Sequence, residues 1–201
     1  MHITNILNKL LLSLFVFLFA SSCAQMVVGG AASGTLIFVQ ERSPEQAAKD
    51  IIIKTKIEET FFSTSYDEIF SKIRVVVFEG KVLLVGTVKD QEIKKKADSI
   101  AWKVSNVKEV ANYISVGKDN LIDYLKDTRI SLEFKAKLLM DKQVSEVNYS
   151  STTENRIIYI IGVSQDGTEL NKVIQHASNI AGVKKIVNLV IDKNDPKRKN
   201  D

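Results

Sequence analysis

Ile53, Ile57 and Phe61 recur every fourth residue after Ser43-Pro44. That spacing places them on one face of a helix over 44–62. Ser43 can cap it, Pro44 suits its first turn, and Glu45 favours the positive end of its dipole. The period then shortens. Ile73 to Phe78 and Lys81 to Val85 are β-branched runs meeting at Glu79-Gly80, which predicts a hairpin. Over 89–105 the helical period returns, with Ile93, Ala97, Ile100, Ala101 and Val104 on the apolar face. Val107 to Val116 reads as a closing strand.

The same order then recurs. It predicts a helix over 121–141, strands around 146–152 and over 157–163, a helix over 167–181 and a strand over 183–192. Leu170, Val173, Ile174, Ala177 and Ala181 form the apolar face of that last helix. Individual residues correspond as well. Gly80 to Gly86 matches Asn155 to Gly162, and Val107 to Asn112 matches Val183 to Asn188, a shift of about 76 residues. Asp50, Ile53, Ile57 and Phe61 match Asp127, Ile130, Phe134 and Leu138. Each unit is long enough to close its own small core, so the repeat predicts two homologous α+β domains rather than a solenoid. Each would be αββαβ. A strand-helix-strand crossover makes the last strand pair parallel, giving a three-stranded mixed sheet with two helices on one face. The domains span 44–117 and 118–193. Lys118-Asp119-Asn120 is the only linker, so they should touch or nearly touch. Residues 194–201, basic and interrupted by Pro196, read as a disordered tail.

Before the first helix the pattern is different. Lys9 precedes an apolar run from Leu10 to Phe19, too short to anchor stably across a bilayer. It ends in Ala20-Ser21-Ser22-Cys23, which looks like a bacterial lipobox with Ala20 where leucine is usual. Residues 1–22 would then be a lipoprotein signal peptide, and Cys23 the acylated first residue of the mature chain. Residues 23–43, rich in glycine and small side chains, read as a flexible tether.

Composition narrows the chemistry. The chain is 45% hydrophobic and 26% charged, values of a globular protein. Its formal net charge of +4 is too small and too scattered for a nucleic-acid binder. Cys23 is the only cysteine, so no intramolecular disulfide and no thiolate metal site can form. One of the two histidines, His2, falls in the signal segment. His176 lies at the edge of an apolar stripe and reads as a boundary residue. The acidic residues are interleaved with lysines on helix faces. No residues converge as a catalytic cluster, a metal site or a cofactor-binding loop.

Several of these residues together resemble the BON domain. They are Asp50 and Ile53 on the first helix, Gly80 to Gly86 on the hairpin, and Val107 to Asn112 on the last strand, repeated with drift in the second half. Two such domains behind a lipidated cysteine resemble the dual-BON outer-membrane lipoproteins of Gram-negative bacteria. The resemblance implies a non-enzymatic protein on the periplasmic face of the outer membrane that maintains envelope integrity, held by its lipid anchor. It implies that the second domain binds anionic phospholipid. Ala24 follows the cysteine in place of the aspartate that retains lipoproteins in the inner membrane of enteric bacteria. An alternative is a periplasmic adaptor for a protein partner, such as an outer-membrane assembly or secretion component.

Two surfaces are candidates for contact. On the helix over 121–141, Leu125, Leu132, Ala136 and Leu139 form a second stripe away from the core residues, interspersed with Lys126, Arg129, Lys135 and Lys137. The equivalent positions in the first unit are Ala48, Thr55, Glu59 and Phe62, so most of that extra apolar character belongs to the second domain. Such a stripe suits an anionic bilayer, the neighbouring domain or a second copy. In the family the lipid-binding surface includes this helix, often with an aromatic near its start. Tyr124 lies upstream of that place here and Arg129 beside it. Trp102 is the only tryptophan and falls about 150° from the apolar stripe of its helix. It is a candidate for the domain interface or for a membrane interface. Gly80, Gly86 and Gly162 are motif glycines of the hairpins.

Overall fold

The computed structural model describes residues 40–118 and 121–198. The first domain contains helix α1 (Pro44–Thr64), strands β1 (Ile73–Phe78) and β2 (Lys81–Val88), helix α2 (Gln91–Trp102) and strand β3 (Glu109–Val116). The second repeats the order: α3 (Leu121–Met140), β4 (Tyr149–Glu154), β5 (Ile157–Ser164), α4 (Gly167–Ser178) and β6 (Lys185–Asp192). Each sheet has its hairpin antiparallel and its last pair parallel, in the orders β1-β2-β3 and β4-β5-β6. This is the mixed, three-stranded α+β arrangement expected from the repeat.

Local chemistry explains the helix starts. The Ser43 hydroxyl accepts from the Gln46 amide at 3.1 Å. The Asp90 carboxylate caps α2 through Ile93 at 2.9 Å, and Asp166 caps α4 through Thr168 and Glu169. Both α2 and α4 end about three residues earlier than their apolar period suggests. Asn106 and Gly182, with φ of 68° and 90°, turn the chain toward the last strand of each domain. Strand β4 begins at Tyr149 rather than near 146, because Glu146–Asn148 form a 3-10 turn. A π-helical turn at Tyr66–Phe70, absent from the sequence reading, follows α1.

Both hairpins close by the same device. Glu79 and Gly80 have φ of 49° and 79°, and Asn155 and Arg156 have 52° and 64°. Positive φ at both central residues is the two-residue turn that matches strand twist. The carboxylate of buried Asp50 accepts from the amides of Glu79 and Gly80 at 2.8 and 2.9 Å. Asp127 accepts from those of Asn155 and Arg156, each at 2.7 Å. The aspartate repeated in the two first helices therefore ties each helix to the turn of its own hairpin. Such charge-assisted bonds, sheltered from water, hold turns that carry strain at non-glycine residues.

Each central strand is buried on both sides. Val82 and Leu84 of β2 face their own helices, packing with Ile53, Ile57, Phe61 and Ala97. Ile158 and Ile160 of β5 do the same with Ile130, Phe134 and Val173. The alternate residues, Leu83 and Val85 against Tyr159, Ile161 and Val163, meet in a third cluster between the two sheets. The order of layers is thus helices, sheet, sheet, helices. Tyr113 and Tyr159 meet across this seam, their rings tilted by 54° with centroids 5.1 Å apart.

Polar side chains close the seam's margins. Arg74 of β1 donates to the Thr152 hydroxyl at 3.0 Å and to the Thr153 carbonyl at 2.7 Å, and pairs with Glu154. At the other end Arg198 grips both Glu79 oxygens, at 3.0 and 2.7 Å, and the Glu41 carbonyl at 3.1 Å. The expected disordered tail is corrected here: Pro196–Arg198 form a 3-10 turn held against the first domain. The last residues of the expected tether are held too. The Glu41 amide donates to Asn148 at 2.9 Å, and Arg42 pairs with Asp50 at 2.9 Å while lying over the Phe78 ring.

Gly86 and Gly162 allow the strands before each hairpin to cross close by. A Cβ at Gly86 would lie 2.0 Å from the Lys72 carbonyl oxygen, and one at Gly162 would lie 2.2 Å from that of Asn148. Backbone cannot swing aside as a side chain can. Gly86→Ala should therefore cost about 2 kcal/mol or more in urea unfolding, while Gly167→Ala, with nothing within 4 Å, should change stability little. Wild-type stability in Gly86→Ala would contradict this packing.

Candidate functional site

Helix α3 carries most of the candidate residues, and two independent demands shape it. Asp127, Ile130, Phe134 and Leu138 are buried on its inner face, where they serve the turn and the core. The outer face has no such duty. Leu125, Leu132 and Leu139 lie seven residues apart along one line and are 61%, 66% and 58% exposed. Tyr124, Ala136 and Met140 are exposed beside them. The first domain does not cover this line, because the domains meet through their sheets and not through α3. The domain-packing reading of the stripe is thereby set aside.

The basic side chains of α3 differ in how firmly they are held. Arg129 is bound on two sides, to Glu133 at 2.9 Å and to the Ala181 carbonyl after α4. It clamps α3 to its own domain and is no loose cation. Lys126 pairs with Asp123 only at 3.6 Å, Lys137 with Glu133 at 3.8 Å and Lys135 with Glu146 at 3.9 Å. Exposed pairs of this length contribute at most a few tenths of a kcal/mol, roughly, so these lysines exchange partners easily.

The remaining candidates fall elsewhere. Trp102 ends α2, half exposed at 51%, and is no member of the seam. Gly80 sits in the first hairpin turn with its amide on Asp50, and Gly86 and Gly162 lie within β2 and β5, so all three are structural. Cys23 lies outside the described residues. Several exposed apolar side chains lie outside the candidates drawn from the sequence: Leu121 and Ile122 at the start of α3, Ile51 and Ile52 on α1, and Phe62, Tyr66 and Phe70 around the π turn. The spacing of four between those last three aromatics was the available signal.

Grooves run along the side where α1 and α3 flank the edge strands β1 and β4. One, of about 410 Å³, is lined by Ile51 and Lys54 of α1, by Lys135 and Leu138 of α3, and by β1 and β4 between them. A second, of about 360 Å³, joins Ser71 and Lys72 to Leu121 and Tyr124. The early part of α1 thus faces the late part of α3, and the segment after α1 faces the first turn of α3.

Perturbed titrating groups do not gather in either groove as a reactive set. Burial pushes up the phenols of Tyr149 and Tyr159. A hydrogen bond from His176, at 2.7 Å, holds the Asp141 carboxyl below its ordinary range. Among the described residues no group of three or more His, Cys, Asp or Glu side chains could hold a metal ion. The described helices include none long and apolar enough to cross a membrane.

The BON domain model matches residues 49–118 and 126–191. A protein of Anaplasma centrale, described only as lying in the gshII 5′ region, is 39% identical over 70% of this chain and 93% of its own length. The outer membrane lipoprotein DolP of Haemophilus influenzae is 27% identical, covering 90% of this chain and 94% of that one. A 21 kDa hemolysin of Actinobacillus pleuropneumoniae is 24% identical, covering 76% and 78%.

The exposure of Trp102 is directly measurable, since it is the sole tryptophan. Its emission should lie near that of indole in water and be quenched readily by acrylamide. A blue-shifted, protected emission in buffer would mean that another surface covers it.

Proposed function

The chain belongs to the BON domain family, and on that footing we propose that it is a non-enzymatic, lipid-anchored protein of the periplasmic face of the outer membrane, whose second domain binds anionic phospholipid through α3. Acylated Cys23 would be its anchor. The likeness to an outer membrane lipoprotein over nearly the whole chain supports the location. The line of Leu125, Leu132 and Leu139, exposed and turned away from the seam, supports the contact.

The physical case has two parts. An interfacial helix needs apolar side chains that can enter the headgroup and acyl boundary, and cations nearby. Burying a leucine fully contributes about 1.5–3 kcal/mol, and a lysine at an anionic surface about 1 kcal/mol. Lys126 and Lys135, held by long exposed pairs, can trade a carboxylate for a phosphate at little cost. Since acyl chains already anchor the protein, this contact would set its orientation on the membrane or sense the lipid, rather than retain it.

Sedimentation with phosphatidylglycerol vesicles tests the reading, using the mature chain with Cys23→Ser so that no acyl group contributes. Leu132→Ser with Leu139→Ser should weaken binding about tenfold while the melting temperature stays within a few degrees, roughly, since both side chains are exposed. Binding should also weaken as salt is raised. Unchanged vesicle binding in a folded double variant would overturn the lipid reading and favour an adaptor for a protein partner.

A further inference from the structure

Three aromatic rings of the first domain stand in water, packed on one another rather than on the core. Phe62, Tyr66 and Phe70 are 57%, 55% and 37% exposed. Phe62 meets Tyr66 edge to face at 5.7 Å and Phe70 at 5.4 Å, and Tyr66 lies 5.7 Å from Phe70. The backbone builds this cluster. Phe61 takes the core position on α1, which turns Phe62 about 100° away from it. Ser65 caps the π-helical turn through the Glu68 amide at 3.3 Å, and Ile69 plugs the turn into the core. The turn's wider spacing then sets Tyr66 and Phe70 side by side against Phe62. An exposed apolar cluster of this size calls for an occupant.

Its position relative to α3 supplies one. Ser71 and Lys72, which follow the cluster directly, share a groove with Leu121 and Tyr124 of α3. Ile51 of α1 shares the other groove with the late residues of α3. The apolar residues of both domains therefore flank one side of the molecule, on either side of β1 and β4. The seam and the Arg74 and Arg198 bridges tie the domains together, so a surface that receives α3 meets the first domain's residues as well.

We propose that the membrane-contacting face is shared by both domains, with Phe62, Tyr66 and Phe70 as its second apolar foot beside α3. The proposal rests on the lipid-contact reading of α3 given above. An anionic bilayer suits the charges beside the aromatic foot, where Lys72, Lys89 and Lys118 line a groove with Asp67 and Glu68, and Lys89 pairs with Glu68. Phenylalanine and tyrosine rings enter the headgroup boundary with little loss of side-chain freedom, and the Tyr66 hydroxyl can stay hydrated.

The test uses the mature chain with Cys23→Ser and phosphatidylglycerol vesicles. Phe62→Ser, Tyr66→Ser and Phe70→Ser together should weaken binding about tenfold, as the α3 double variant does, without loss of far-ultraviolet circular dichroism. If the α3 variant loses binding and the folded triple variant does not, the shared face is wrong and the α3 contact stands. If both keep binding, the lipid reading itself is wrong. Loss in the triple variant alone also overturns a shared face. Should the triple variant misfold, Tyr66→Trp with Trp102→Phe decides: its emission should shift to the blue on adding vesicles, and an unmoved spectrum overturns the proposal.

Discussion

Burial of β2 and β5 on both faces is the constraint from which the remaining architecture follows. A three-stranded sheet with helices on one side still has a second side to shelter. In this chain Leu83 and Val85 on one sheet and Tyr159, Ile161 and Val163 on the other shelter each other. The four helices are thereby sent outward, and none is needed to join the domains. That leaves the leucine line of α3 and the aromatic cluster after α1 without an internal partner. Had α3 packed on the first domain, the same sequence would have carried no free apolar face there.

Polar chemistry closes what the seam leaves open. Asp50 and Asp127 hold the two strained turns, and Arg74 fastens one edge of the sheets. Arg198 joins the C-terminal turn, the Glu41 carbonyl and the Glu79 turn in one knot. Glu41 and Arg42 thus join the folded unit at the first domain's hairpin and at Asn148, just before β4. A body whose two domains are clasped at both ends of the seam can present one side to a membrane without a hinge between them.

The repeat, the element order and the core residues were legible from apolar spacing, because each local period agreed with the fold it serves. The partner of each second face was not. Val82 to Val85 and Ile157 to Ile161 are unbroken apolar runs, which signal a strand buried on both sides but not what buries it. The stripe on α3 remained ambiguous for the same reason, and only the seam removed the first domain as its cover. Arg198 looked like part of a solvated tail, since a bidentate contact with Glu79 is a long-range event that no local pattern encodes. Phe62, Tyr66 and Phe70 carry a spacing of four, but no local pattern shows that a π turn brings the three rings together outside the core.

Native-state hydrogen exchange of Leu83→Ala tests the seam most directly. Leu83 is fully buried, and its truncation should cost about 2–5 kcal/mol. If the seam joins the two domains as described, the amides of β5, in the other domain, should lose protection along with those of β2. Faster exchange confined to the first domain, with β5 unchanged, would contradict the account.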